Sequence, residues 1–387
     1  MLVPLSYNLR SLWVRKSSTL LTVLGLGATV AIVASVLALQ RGFLTMFTAG
    51  GREDVAVFLR PGATGEGDSM FRRDLGLRLI KTLGEIESDA RGPLASMECY
   101  LAVLAKKTDG GETNVPLRGV QPETFRLRGD EIRIVAGRSF TPGSDEVIVG
   151  RSLVNRLQNT HIDDVIVLNT TPFRVVGVFE HAGAFASEIW GDLERFMPTL
   201  GRYGPNRVIA QLRPGTDLAA LSARLEDDKE VPAKVVTERA YLESQTLVFG
   251  TALLVLARVL GFIMGVGAIF AATNTMLASV SARTSEIGIL LALGYRPLPI
   301  FLSFQFEAML LGLLGGLLGC VLALPLNGIE TGAMNWQTFT EFAFAFQVTP
   351  AVLAEAAGFS LVLGLLGGAL PAWRAARLAP TVALRQG

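Results

Sequence analysis

Residues 19–39 run for about twenty positions without a charged side chain, which is the length an α-helix needs to cross a hydrocarbon core about 30 Å thick. A helix apolar on every face has no side to offer to water and reads as a membrane span, with a cleaved signal peptide as the competing reading, against which the run is longer than the usual core of about 7 to 15 residues. Three more stretches read the same way. Residues 259–282 are uncharged, 300–326 are interrupted only by Glu307, and 352–373 only by Glu355 near the start. Composition agrees: 50% of the 387 residues are hydrophobic and 18% charged, with a mean hydropathy of +0.44, more apolar than a globular domain of this length. The expected fold is a membrane protein of four transmembrane α-helices with an extracytoplasmic α+β domain inserted between helices 1 and 2.

Basic residues orient the spans, because Lys and Arg stay on the cytoplasmic side. Arg10, Arg15 and Lys16 precede the first span, Arg283 and Arg296 lie between the second and third, and Arg374, Arg377 and Arg385 follow the fourth. The connection 327–350 has no Lys or Arg and carries Glu330 and Glu341. Both termini are therefore expected in the cytoplasm, with the large domain outside. The expected divisions are a cytoplasmic interfacial helix at 1–18, helix 1 at 19–41, the extracytoplasmic domain at 42–245, and a stalk with helix 2 at 246–282. A cytoplasmic coupling helix at 283–299, helix 3 at 300–326, an outer loop at 327–350, helix 4 at 351–373 and a tail at 374–387 complete them. Leu5, Leu9, Leu12 and Trp13 form the apolar stripe that seats the first helix on lipid.

Within the outer domain, "EDVAVFLRPGA", "YLAVLAK", "DEVIVG", "DVIVLN", "FRVVGVFE" and "RVIAQLR" read as strands, and 68–90 and "DLAALSARLEDD" as helices. "ERAYLESQTLVFGTALLVLAR" enters the second span without Pro or a turn signal, so one long helix is expected there.

Catalytic signals are missing. No segment matches G-x-x-x-x-G-K-[ST], so these residues give no phosphate-binding loop, and no cofactor is expected on the chain. His161 and His181 are the only histidines and keep no metal-site company, which points to solvated surface positions and no metal. A net charge of +1 supplies no footprint for nucleic acid. Cys99 and Cys320 fall in the outer domain and in a span, so no internal disulfide is expected. Glu307 admits two readings, a proton or ion site and a helix-to-helix hydrogen-bonding group near the cytoplasmic interface. Glycines at i, i+4, namely Gly261 with Gly265, Gly312 with Gly316, and Gly364 with Gly368, let helices approach closely in a bundle or dimer.

The segment "VSARTSEIGILLALGYRPLPIF" is too polar to span and too apolar for a loop. On a helix, Ile287, Leu290 and Leu291 share one stripe and Ile289 and Leu293 another, with Gly288 and Ala292 between them. One stripe can seat on the bundle; the other then needs a partner protein. Gly294 stops the helix and Pro297 keeps it from resuming before the third span.

"RTSEIGILLALG", "FEAMLLGLLGGLLG" and "PAWRAARLAPTVALRQG" together resemble the permease domain of FtsX/MacB-like ABC transporter subunits. "IRIVAGRSFTPGSDEVIVGRSLVNRL" and "FRVVGVFE" resemble the MacB-type periplasmic core. The resemblance implies a non-catalytic permease subunit that pairs with a second copy or a related chain and binds a separate ATPase, on which ATP and Mg sit. It places Arg283, Glu286, Ile287 and Gly294 on the ATPase-docking helix, to which the exposed stripe adds Ile289 and Leu293. It implies efflux or envelope trafficking, with a periplasmic adaptor and outer-membrane channel as further partners. Lipoprotein release of the LolC/LolE kind and FtsX-like signalling to a cell-wall hydrolase are the alternatives. An unrelated membrane-anchored receptor would need no docking helix.

Overall fold

The computed structural model describes residues 16–48, 50–334 and 341–378. The expected interfacial stripe of Leu5 to Trp13 lies outside the described residues, as does Arg385 in the tail. Among the described residues the α-helices are, in chain order, α1 (Lys16–Thr48), α2 (Arg73–Thr82), α3 (Pro122–Arg128), α4 (Leu193–Thr199), α5 (Leu218–Glu226), α6 (Glu238–Ala282), α7 (Thr284–Ala292), α8 (Pro297–Ala323) and α9 (Pro350–Ala376). Among the described residues, four segments are long and apolar enough to cross a membrane: Lys16–Met46, Phe249–Ala282, Pro297–Leu326 and Pro350–Ala376. They belong to α1, α6, α8 and α9.

The chain divides into two compact units. One comprises Met1–Gly42, Gly250–Ile329 and Ala345–Gly387. In it α8 and α9 meet backbone to backbone, because glycines face each other at the crossing. A Cβ on Gly364 would lie 2.7 Å from the Ala308 carbonyl oxygen and 3.1 Å from the Gly312 Cα. One on Gly368 would lie 2.2 Å from the Ala308 Cβ, and one on Gly316 3.0 Å from the Ser360 Cβ. Ser360 uses the closeness, donating its hydroxyl to the Gly312 carbonyl at 2.6 Å. Gly315 and Gly319 fit α1 in the same manner, 2.5 Å from the Leu26 Cβ and 2.6 Å from the Val30 Cβ. Gly261 and Gly265 sit in looser contacts, no nearer than 3.6 and 3.2 Å to any side chain.

The other unit comprises Phe43–Phe249 and Glu330–Phe344. Its main sheet uses β1 (Val55–Leu59), β2 (Ala95–Lys106), β3 (Glu112–Val120), β4 (Arg133–Gly137), β5 (Glu146–Gly150), β6 (Val165–Leu168), β7 (Thr171–Glu180), β8 (Ile189–Asp192), β9 (Arg207–Gln211) and β10 (Lys234–Thr237). They follow the order β10-β1-β9-β2-β3-β8-β5-β7-β4, with β6 on β7. The sheet is mixed: β8 runs parallel to β3 and β5 to β7, whereas β1 is antiparallel to both its neighbours. Every residue of β1 is buried, as a strand covered on both faces must be. Residues 330–334 and 341–345 form a separate two-stranded ladder in the segment expected to be a plain loop.

The helix expected over 68–90 is much shorter. α2 ends at Thr82 because Leu83 turns extended at φ −77°, ψ 107°, after which Ile86 bridges to Leu212 and Ser88–Asp89 pairs with Gly92–Pro93. The apolar spacing that suggested a longer helix is still used, with Leu79 and Ile86 buried in one core.

Candidate docking site

The segment between the second and third spans folds as α7 between two sharp stops. Arg283 breaks from α6 at φ −117°, ψ 14°, and its carbonyl accepts the first α7 bond from the Ile287 amide at 3.0 Å. At the far end Gly294 takes φ +92°, a conformation a side chain rarely tolerates. Its amide donates to the Leu291 carbonyl and the Tyr295 amide to the Leu290 carbonyl, both at 3.1 Å, the paired bonds of a Schellman stop. Pro297 then opens α8, where its missing N–H costs nothing.

The apolar side chains of α7 divide between two directions. Ile287 is 2% exposed and joins a cluster with Ile300, Phe304 and Ala308, against which Leu291 also packs. Ile289 and Leu293, one turn apart, are 48% and 73% exposed. Glu286 and Gly294 are also on the surface.

Arg283 and Ile287, both expected on the docking helix, face inward on it. The Arg283 guanidinium is buried, donates from Nη1 to the Glu307 carboxylate at 2.9 Å and stacks over the Phe304 ring at 5.0 Å. Its Nε lies 3.6 Å from the exposed Glu286 carboxylate. Glu307, in α8, is therefore one half of a buried ion pair. Glu355 is exposed near the start of α9.

Two family models cover most of the chain. The MacB-like periplasmic core domain matches residues 19–228 and the FtsX-like permease C-terminal region matches 258–380. The chain belongs to the FtsX/MacB-like ABC transporter permease family. Among curated relatives of the permease, the macrolide export ATP-binding/permease protein MacB of Agrobacterium fabrum is 28% identical over 97% of this chain and 59% of its own length. The pyoverdine export ATP-binding/permease protein PvdT of Pseudomonas savastanoi pv. phaseolicola is 27% identical over 97% of this chain and 58% of its own. The permease thus spans a little under three fifths of the relatives it matches. The solved periplasmic region of MacB from Actinobacillus actinomycetemcomitans aligns with a TM-score of 0.38 at 11% identity, over 50% of this chain and 92% of that one.

The second unit of the permease holds a feature that sequence reasoning missed. Glu66, Glu98, Glu188 and Glu238 meet Arg118, Arg128 and Arg207 with almost no exposure. Arg118 donates to Glu188 at 2.7 and 2.8 Å and to Glu98 at 3.1 Å. Arg207 reaches Glu98 at 2.6 Å and Glu66 at 2.9 Å, and Arg128 pairs with Glu238, the first residue of α6. The Phe185 ring lies 5.0, 4.5 and 5.9 Å from the guanidinium carbons of Arg118, Arg128 and Arg207. Trp190 also donates to Glu188, and the hydroxyls of Thr124 and Tyr241 donate to Glu98 and Glu66.

Burial alone would raise the carboxyls of this network. At Glu98 the Arg207 and Arg118 charges overcome it and hold the group at about 2, and at Glu238 Arg128 holds the carboxyl below its ordinary range. At Glu188 burial prevails and the carboxyl sits above its ordinary range. Every carboxylate here is bound by guanidiniums, which leaves a clasp and no open coordination position. Among the described residues no group of His, Cys, Asp and Glu is arranged to hold a metal ion.

The two histidines also part company. His161 is exposed, but His181 is half-buried against Phe185 at 4.9 Å, and its Nδ1 accepts the Gly183 amide at 2.8 Å. Burial, and after it the Arg128 charge, push its pKa down to about 4. The expectation that both are solvated fails at His181, whose neighbours come from a fold that the sequence pattern does not display.

Proposed function

We propose that this permease couples ATP hydrolysis, carried out by an ATPase module outside these 387 residues, to movement of its second unit for efflux or envelope trafficking. In this reading the chain sits in the inner membrane with both termini cytoplasmic and pairs with a second permease copy. ATP and Mg are held by the ATPase module. A periplasmic adaptor and outer-membrane channel would complete an export path.

The observation that carries the reading is the division of α7. Ile287 anchors the helix while Ile289 and Leu293 present apolar surface beside the charged Glu286. Bare apolar side chains flanked by a carboxylate are what a groove on another protein would cover. Between them they supply about 3 kcal/mol of burial, enough to change an affinity more than a hundredfold.

The test is co-purification of the full permease with its ATPase, sought first in a gene beside it. Ile289→Ser with Leu293→Ser should abolish the complex while the variant remains monodisperse on size exclusion, since neither side chain is buried. A monodisperse variant that keeps the ATPase would reject docking through this face. An adaptor gene next to the pair would favour export over signalling to a hydrolase.

A further inference from the structure

We infer that Arg283 and Glu307 are positioning residues that fix the pose of α7, with the Arg283 guanidinium serving as the joint between the second span, the docking helix and the third span. Three observations carry this. Backbone geometry puts Arg283 at the break itself: its amide closes the last turn of α6 on the Val280 carbonyl at 3.1 Å, and its carbonyl starts α7. The side chain enters the bundle, where Glu307 accepts at 2.9 Å and the Phe304 ring supports the guanidinium plane at 5.0 Å. The same group lies 3.6 Å from Glu286, so one cation faces a buried carboxylate on α8 and an exposed one on α7.

A buried pair of this kind adds little net stability against an apolar pair of similar volume, but removing one partner strands the other charge out of water. Its contribution is therefore direction. A Leu and an Ile can slide against their neighbours with small loss, whereas the guanidinium has one arrangement that serves both carboxylates. Only one α7 residue, Ile287, is fully seated as an apolar anchor, so the helix needs a second fixed point to keep Ile289 and Leu293 outward.

The effect on α7 is independent of the docking proposal, and only its consequence for ATPase binding rests on that reading. Backbone hydrogen exchange of the full permease in lipid nanodiscs, without any ATPase, tests the first. Glu307→Gln should raise exchange across Thr284–Ala292 at least tenfold and leave the α8 and α9 crossing within twofold of the parent. Arg283→Met combined with Glu307→Leu, which removes both charges and with them the cost of a stranded one, should recover the parent's thermal stability and still leave α7 exchange raised.

Unchanged α7 exchange in Glu307→Gln, or a double variant whose α7 exchange returns to that of the parent, would overturn the assignment. If Glu307→Gln gives no monodisperse protein, Arg283→Lys carries the same comparison, because it keeps the charge and loses the planar fork. Adding the ATPase then separates the two readings: α7 exchange that responds as expected, with ATPase binding equal in every variant, sinks docking and leaves the joint intact.

Discussion

His181 shows how far a single side chain can depart from what its letter suggests. A histidine without metal-site company reads as solvated, yet this one is packed on Phe185 and held neutral with a pKa of about 4 against an ordinary 6.5. The folded-state pKa is depressed, so the unfolded chain binds the proton first as pH falls. The contribution of this group is complete above pH 6.5, declines through the window and is lost below about 4, with a total of at most about 3 kcal/mol. Melting of the purified permease followed from pH 7 to pH 4.5 should show this slope, and His181→Gln should flatten it, since most carboxylates titrate lower. An equal slope in both proteins would assign the loss to other groups. Glu307 was legible as an anomaly because a carboxylate in an apolar run is rare. Its partner was not, since Arg283 lies in a neighbouring segment that reads as surface.

Among the elements, the spans and α7 were readable because each is a contiguous pattern with its own stop signals. The Gly294 turn and Pro297 start fall where the letters put them. The glycine pairs were readable as a class but not by partner: spacing cannot say that Gly312 and Gly364 face each other while Gly261 leaves ordinary room beside Val33 and Phe359. That difference is testable. Gly364→Leu places a branched side chain against the Ala308 carbonyl and the Gly312 backbone, neither of which can swing aside, and should cost about 3 kcal/mol or prevent assembly of α8 on α9. Gly267→Leu, where nothing lies within 4 Å, should be tolerated. Thermal aggregation of the two variants in the same detergent decides it; equal midpoints would contradict the close crossing. α2 was misjudged for the opposite reason, because the spacing of its apolar residues continues past the turn at Leu83 into a strand-like bridge at Ile86.

At the level of the whole molecule, the second unit joins Glu330–Phe344 to Phe43–Phe249, a membership that sequence distance hides. The orientation proposed from basic residues predicts a labelling pattern for intact cells. Tyr203→Cys, at a position 93% exposed in the second unit, should react with an impermeant maleimide from outside, and Leu293→Cys only after lysis. Native Cys99 should stay silent in both cases, because burial pushes its thiol to about 12 and leaves almost no thiolate. Labelling of Leu293→Cys in intact cells would invert the topology. The charge network was illegible for a reason that applies to any clasp built from distant letters: Glu66, Glu98, Arg118, Arg128, Glu188, Arg207 and Glu238 share no spacing and meet only after the sheet has formed. Their interdependence also constrains descent. A lineage that loses one of these charges keeps the others stranded, so drift at any one position is blocked until a compensating change arrives, and the seven positions are inherited as a group or replaced as one.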